Sequence, residues 1–110
     1  MKKLPIFLLL FLVSNFVFAG SCGANSCSAN ITTLYPHGGT ENIHIELDAD
    51  MSSLNCTLNE GKFITLTKGN GLHSEIYSMI LSAAIAQKSL KFRIEENSSN
   101  CEVVYTQLIY

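Results

Sequence analysis

The sequence predicts a β-rich domain with a single helix, in the order strand, strand, strand, helix, strand, strand. Three observations carry that reading. Apolar residues alternate with polar ones around residues 43–47, 63–67 and 90–94. One longer run, 72–88, contains no Gly or Pro and repeats its apolar residues at spacings of three and four. Clusters of Gly, Asn, Ser and Pro separate these runs.

The first nineteen residues read as an export signal. Lys2 and Lys3 give a positive start, Leu4 to Val13 is almost wholly apolar, and Val17-Phe18-Ala19 is a small-x-small cleavage site. The mature chain, a single domain over residues 20–110, then begins at Gly20. Gly20 to Ser28 is small and polar, with Cys22 and Cys27 as its restraints. Asn30 to Tyr35 is a weak strand candidate with β-branched Ile31, Thr32 and Thr33, stopped by Pro36-His37-Gly38-Gly39. Ile43, Ile45 and Leu47 alternate with His44, Glu46 and Asp48, which predicts a strand with an apolar inner face and a solvated outer one. A loop from Met51 to Glu60 holds Cys56, and Phe63 to Thr67 forms the third strand. Lys68-Gly69-Asn70-Gly71 ends it.

Leu72, Ile76, Met79, Ile80 and Ala83 then mark an amphipathic helix from about Leu72 to Lys88, with Asn70 as its N-cap, Glu75 favouring the positive start and Lys88 the negative end. Leu90, Phe92 and Ile94 alternate with Lys91, Arg93 and Glu95. After the turn Asn97-Ser98-Ser99-Asn100, a last strand runs from Cys101 to Ile109. It is apolar on both faces, with Val103, Tyr105 and Ile109 on one and Val104, Leu108 and Tyr110 on the other, so cover on both sides is expected. Five short strands with the helix between the third and fourth give the layout of an OB-fold-like small Greek-key barrel, and an open α+β sandwich is the alternative.

The chain carries 7 Lys+Arg and 9 Asp+Glu. Both lysines of the signal leave with it, so the mature 91 residues keep 5 basic against 9 acidic side chains, a net charge of −4. That balance excludes the clustered basic footprint of a nucleic-acid binder. No second apolar run reaches the ~20 residues of a membrane span, so a soluble mature chain is expected. The short signal led by two lysines reads as bacterial, which places the protein in the periplasm or outside the cell. In that setting the Asn-x-Ser/Thr triplets at Asn30, Asn55 and Asn97 are chance matches rather than glycosylation sites.

All four cysteines lie in the mature part, and an even number in an oxidising compartment points to disulfides. Three pairings are open. The preferred one joins Cys56 to Cys101 across the body of the domain and leaves Cys22 and Cys27 to close a small loop. Two competing uses are weaker. A zinc site from Cys22, Cys27 and His37 has a spacing unlike the standard structural sites. Lipidation of Cys22 lacks the large apolar residue three positions earlier and strands Cys27.

The block Ser74-Glu75-Ile76-Tyr77-Ser78-Met79-Ile80-Leu81-Ser82-Ala83-Ala84, with Gln87-Lys88-Ser89-Leu90-Lys91-Phe92-Arg93-Ile94 and Cys101-Glu102-Val103, resembles a group of short exported bacterial proteins of unknown function with an OB-like fold. The same helix-to-strand pattern is similar to the B subunit of subtilase cytotoxin. That resemblance implies an OB-like subunit in a ring that binds cell-surface glycans. It covers the last forty residues, departs at Ser89 where a glycine is common, and no stretch matches the toxin's sugar-contacting residues.

No catalytic set emerges from the residues. His37, His44 and His73 stand in different segments, and the alternation puts His44 on the solvated face. Ser74 adjoins His73, but helix neighbours diverge and no Gly-x-Ser-x-Gly elbow surrounds it. Asp48-Ala49-Asp50-Met51-Ser52 begins like a calcium loop, yet Ser53 and Asn59 stand where that loop needs Gly and Glu. Glu95 and Glu96 point to opposite faces of a strand. Neither catalytic residues nor a cofactor nor a metal site is therefore expected. The mature chain does carry 11 Ser, 7 Thr and 8 Asn, neutral hydrogen-bonding groups suited to sugars. Tyr35, Tyr77, Tyr105 and Tyr110 are candidate platforms, with Tyr77 and Tyr105 assigned to core packing. The expectation is a non-enzymatic exported binding module for glycan or protein, with homo-oligomerisation through the last strand. The alternative is a monomeric periplasmic structural or inhibitory factor.

Overall fold

The computed structural model describes residues 18–109. Apart from Phe18 and Ala19, the expected export signal lies outside the described residues, as does Tyr110. These residues are β-rich with one helix among them: β1 (Ser21–Cys22), β2 (Ser26–Ala29), β3 (Ile31–His37), β4 (Asn42–Leu47), a 3-10 turn (Met51–Ser53), β5 (Ile64–Leu66), α1 (His73–Ala86), β6 (Leu90–Ile94) and β7 (Val103–Gln107). The strands form two antiparallel sheets, β1-β2-β6-β7 and β3-β4-β5. Only Asn30 separates β2 from β3, so one bent stretch of chain serves both sheets. The bend is held by Asp48, whose N–H donates to the Asn30 carbonyl at 2.9 Å. On the far side, Thr65 in β5 forms a parallel bridge with Glu102 ahead of β7.

The core lies between the sheets and under the helix. Ile43, Ile45 and Leu47 of β4 point into it, as do Leu90, Phe92 and Ile94 of β6 and Ile64 and Leu66 of β5. Helix α1 closes one side with Ile76, Ile80 and Ala83, spaced by four and three, and Tyr77 is half-buried against the same cluster. It ends at Gln87 in the left-handed region (φ 56°), with the Lys88 N–H donating to the Ala83 carbonyl at 2.9 Å. Lys88 therefore lies just past the helix.

Four expectations change. The small, polar N-terminal stretch, for which the sequence predicts no strand, is a β-hairpin. Its alternation is made of small residues, Cys27 and Ala29 inward against Ser26 and Ser28 outward, and β2 pairs with β6 at Cys27↔Phe92 and Ala29↔Leu90. Strand β3 runs on through Pro36 to His37, because β3 is a sheet edge where a missing N–H breaks no ladder. Asn70 is not the helix N-cap. Its Oδ1 accepts from the Leu72 N–H at 2.8 Å, and its Nδ2 donates to the carbonyls of Val103 (3.1 Å) and Val104 (3.2 Å), tying the turn before the helix to β7.

The fourth change concerns β7, which is not covered on both faces. It is the outer strand of its sheet, and its pairing with β6 shifts between Arg93↔Tyr105 and Ile94↔Val103, leaving Val104 as an extra residue. The bulge turns both Val104 (41% exposed) and Tyr105 outward, and Ile109 beyond the strand is 71% exposed. Tyr105 is accordingly a surface residue rather than a core one. On the inner side, the Thr106 hydroxyl meets the Met79 sulfur of α1 at 3.2 Å.

Two disulfides staple this frame. Cys22 and Cys27 face each other across the β1–β2 hairpin and are bonded, with Cα atoms 4.0 Å apart. Cys56 is bonded to Cys101 with Cα atoms 5.0 Å apart, fastening the 51–60 loop to the chain entering β7. At that junction the Thr65 N–H donates to the Cys101 carbonyl at 3.1 Å.

Candidate functional site

The chemistry-bearing side chains converge on the outer face of the three-stranded sheet. Antiparallel register sets Tyr35 opposite His44 and His44 opposite Thr65, with His37 opposite Asn42 and Thr33 opposite Glu46. Directly opposed residues project to the same face. Phe63, two residues before Thr65, joins them. The ring of His44 lies 5.4 Å from that of Tyr35, 5.8 Å from Phe63 and 6.0 Å from His37, centroid to centroid, and Tyr35 and Phe63 are 5.9 Å apart. These separations are those of packed aromatic pairs.

His44 departs from the solvated role that alternation assigns it. It is only 6% exposed, because Tyr35 and Phe63 from the neighbouring strands close over it. Its Nδ1 lies 3.0 Å from the hydroxyl of the fully buried Thr65. Burial holds its pKa below the ordinary histidine range, the nearby His37 adds to the shift, and Glu60 opposes it. The folded state thus prefers neutral His44 while the unfolded chain takes up a proton near pH 6.5. Stability from this residue is present above pH 6.5 and is lost as the pH falls below it. Urea midpoints should drop between pH 7.5 and 5, and a His44→Gln variant should drop less; equal drops remove His44 from the account.

The surround is polar. The Thr33 hydroxyl donates to Glu46 Oε1 at 2.9 Å, and Thr40 Oγ1 lies 3.5 Å from His37 Nδ1. The Lys62 ammonium sits 5.2 Å from the centre of the Phe63 ring. At the rim, Lys68 pairs with Glu41 at 2.6 Å in full solvent, a contact of little energetic weight. Tyr35, 39% exposed, is the aromatic ring this face offers to solvent.

The remaining sequence candidates do not join the cluster. Cys22 and Cys27 are bonded to each other, which removes the thiolates that a site with His37 needs and the free Cys22 that lipidation needs. Asp50 caps the 3-10 turn, and hydrogen bonds from the Ser52 hydroxyl and from the Ser52 N–H, the latter at 3.0 Å, lower its pKa. Ser74 contacts Glu75 at 3.5 Å rather than His73, and Glu96 accepts from Asn55 Nδ2 at 3.1 Å. Among the described residues no group of three or more His, Cys, Asp or Glu is arranged to hold a metal ion. The cluster was invisible in sequence because strand register alone assembles it; the signal was His44 set between Ile43 and Ile45. No family model matches the chain, and no curated protein or solved structure is detectably similar to it.

Proposed function

We propose that the protein is an exported, non-enzymatic binding module built on an OB-type barrel, and that it recognises glycans on the face around Tyr35. The pairing order supports the barrel. The bent β2–β3 stretch pairs with β4 on one side and β6 on the other, β5 pairs with β4, β6 with β7, and a parallel bridge at Thr65 and Glu102 joins β5 to the start of β7. OB-folds bind oligosaccharides and oligonucleotides on the face of their second and third strands, which correspond here to β4 and β5. The negative balance of charge disfavours oligonucleotides. Export is supported by the signal-like first nineteen residues and the two disulfides; among the described residues no helix is long and apolar enough to cross a membrane.

The observation that carries the reading is Tyr35, an exposed ring held rigidly by packing against His44 and Phe63. Such a ring stacks against the C–H face of a pyranose, while neighbouring threonine, asparagine and histidine groups take its hydroxyls without the desolvation cost of a buried charge. The mature oxidised protein should bind on a glycan array, and Tyr35→Ala should weaken binding at least tenfold, about 1.4 kcal/mol, while the variant stays folded. No bound glycan, or full binding by the variant, ends the reading.

A second reading concerns self-association through β7. The strand is a sheet edge with exposed Val104 and Tyr105, and beyond it Leu108 and Ile109 line a cleft of about 490 Å³ with Lys88 and Ser89. Glu95, Glu96 and Glu102 gather at the start of β7, while Lys91 pairs with Gln107 at its end. Antiparallel addition of a second copy sets each acidic end against a basic one. Light scattering after size exclusion should give a multiple of the mature mass. A strict monomer favours the alternative of a monomeric periplasmic structural or inhibitory factor.

A further inference from the structure

We propose that the Tyr35 face is acid-released: when His44 takes up a proton it can no longer stay packed between Tyr35 and Phe63, and the platform that Tyr35 presents is dismantled. This rests on the reading of that face as the recognition surface and adds its regulation.

The geometry makes the two histidines unequal. His37 is half-buried on β3 at the sheet edge. His44 is enclosed, with Nδ1 committed to Thr65 and its ring 6.0 Å from that of His37. A cationic imidazole has two N–H donors and a net charge to satisfy, and this pocket supplies a single threonine hydroxyl at Nδ1.

The charged and titratable groups around His44 divide as follows. On β3, Tyr35 presents its ring and His37 acts as a like charge. On β4, Glu46 lies one pair further along the same face and is engaged by Thr33. From the turn before β5 come Glu60, which favours the proton, and Lys62, whose ammonium lies 5.2 Å from the centre of the Phe63 ring. Cation–π attraction from Tyr35 and Phe63 is the remaining favourable contribution, but both rings are tilted against His44, by 51° and 36°, and neither lies flat over it. Burial and the neighbouring His37 therefore outweigh one carboxylate.

The test needs no ligand, so its failure is distinct from failure of the glycan reading. NMR spectra of the mature oxidised protein, labelled at His, Tyr, Ile and Leu, are followed from pH 7.5 to 4.5. The His44 ring should titrate below pH 6.5. The Tyr35 ring signals should shift with the His44 midpoint, while the Ile80 and Leu66 methyl groups in the core keep their positions. In a His37→Gln variant, which alters only a half-buried edge residue, the His44 and Tyr35 midpoints should move together to higher pH. The proposal is overturned by a Tyr35 ring that ignores the His44 titration, by one that follows His37 alone, or by core methyls that lose their native shifts at the same pH.

Discussion

Replacing either Cys56 or Cys101 by serine should lower the unfolding free energy of the domain over residues 20–110 by about 4 kcal/mol, and replacing both should cost little more. The two residues are 45 apart in sequence, and in the chain-entropy model a loop of that length removes about 4 kcal/mol of freedom from the unfolded chain. The Cys22–Cys27 bridge, with a separation of 5, is worth about half as much in the same model. Two structural features place the larger bridge at a junction. Cys101 is fully buried, and its carbonyl accepts the Thr65 N–H that links β5 to the chain entering β7. A domain of this size has a total stability of about 5–14 kcal/mol, so losing the bridge takes a large share of it. Urea unfolding of the two single variants and the double variant checks the cycle. Additive losses would mean that the cysteines stabilise the fold separately rather than as a bonded pair.

What was legible in the sequence follows from which features are local. Period two in Ile43–Leu47 and Leu90–Ile94, and the three-and-four spacing of Ile76, Ile80 and Ala83, depend on one segment at a time, and the corresponding strands and helix appear within two residues of their predicted bounds. The hairpin at Ser21–Ala29 escaped because its inward residues, Cys27 and Ala29, are small; what holds it is pairing to β6, more than sixty residues away. His44 and Tyr105 were misplaced for opposite reasons. Alternation correctly gives the sheet face of His44 but says nothing of whether Tyr35 and Phe63 cover that face. For Tyr105 the alternation itself is interrupted by the bulge at Val104, which depends on the register with Arg93 and Ile94. Site chemistry on a sheet is legible only as far as register is, and register is a property of strand pairs.

Phe92→Ala should cost about 3–5 kcal/mol, comparable to the loss of the large disulfide but by a different mechanism. Phe92 is fully buried in β6, opposed by Cys27 in β2 and Thr106 in β7, so removing the ring opens a cavity under the middle of the four-stranded sheet. The surroundings have little freedom to fill it. Cys27 is fixed by its bond to Cys22, and Thr106 is held against Met79 of the helix. Where walls cannot collapse, the cavity penalty adds in full to the lost transfer energy, which places this site toward the upper part of the range. Denaturant unfolding followed by far-UV circular dichroism measures the loss, and a value below about 1 kcal/mol would show that β6 is not the packed centre of that sheet. The contrast with Tyr35→Ala is itself informative. Phe92 faces the core between the sheets and Tyr35 the outer surface of the other sheet, so the first substitution should lower stability sharply while the second removes recognition and, by uncovering His44 alone, costs far less stability. A Tyr35→Ala variant that unfolded as readily as Phe92→Ala would make the ring a structural element only and leave the outer face without a ligand platform.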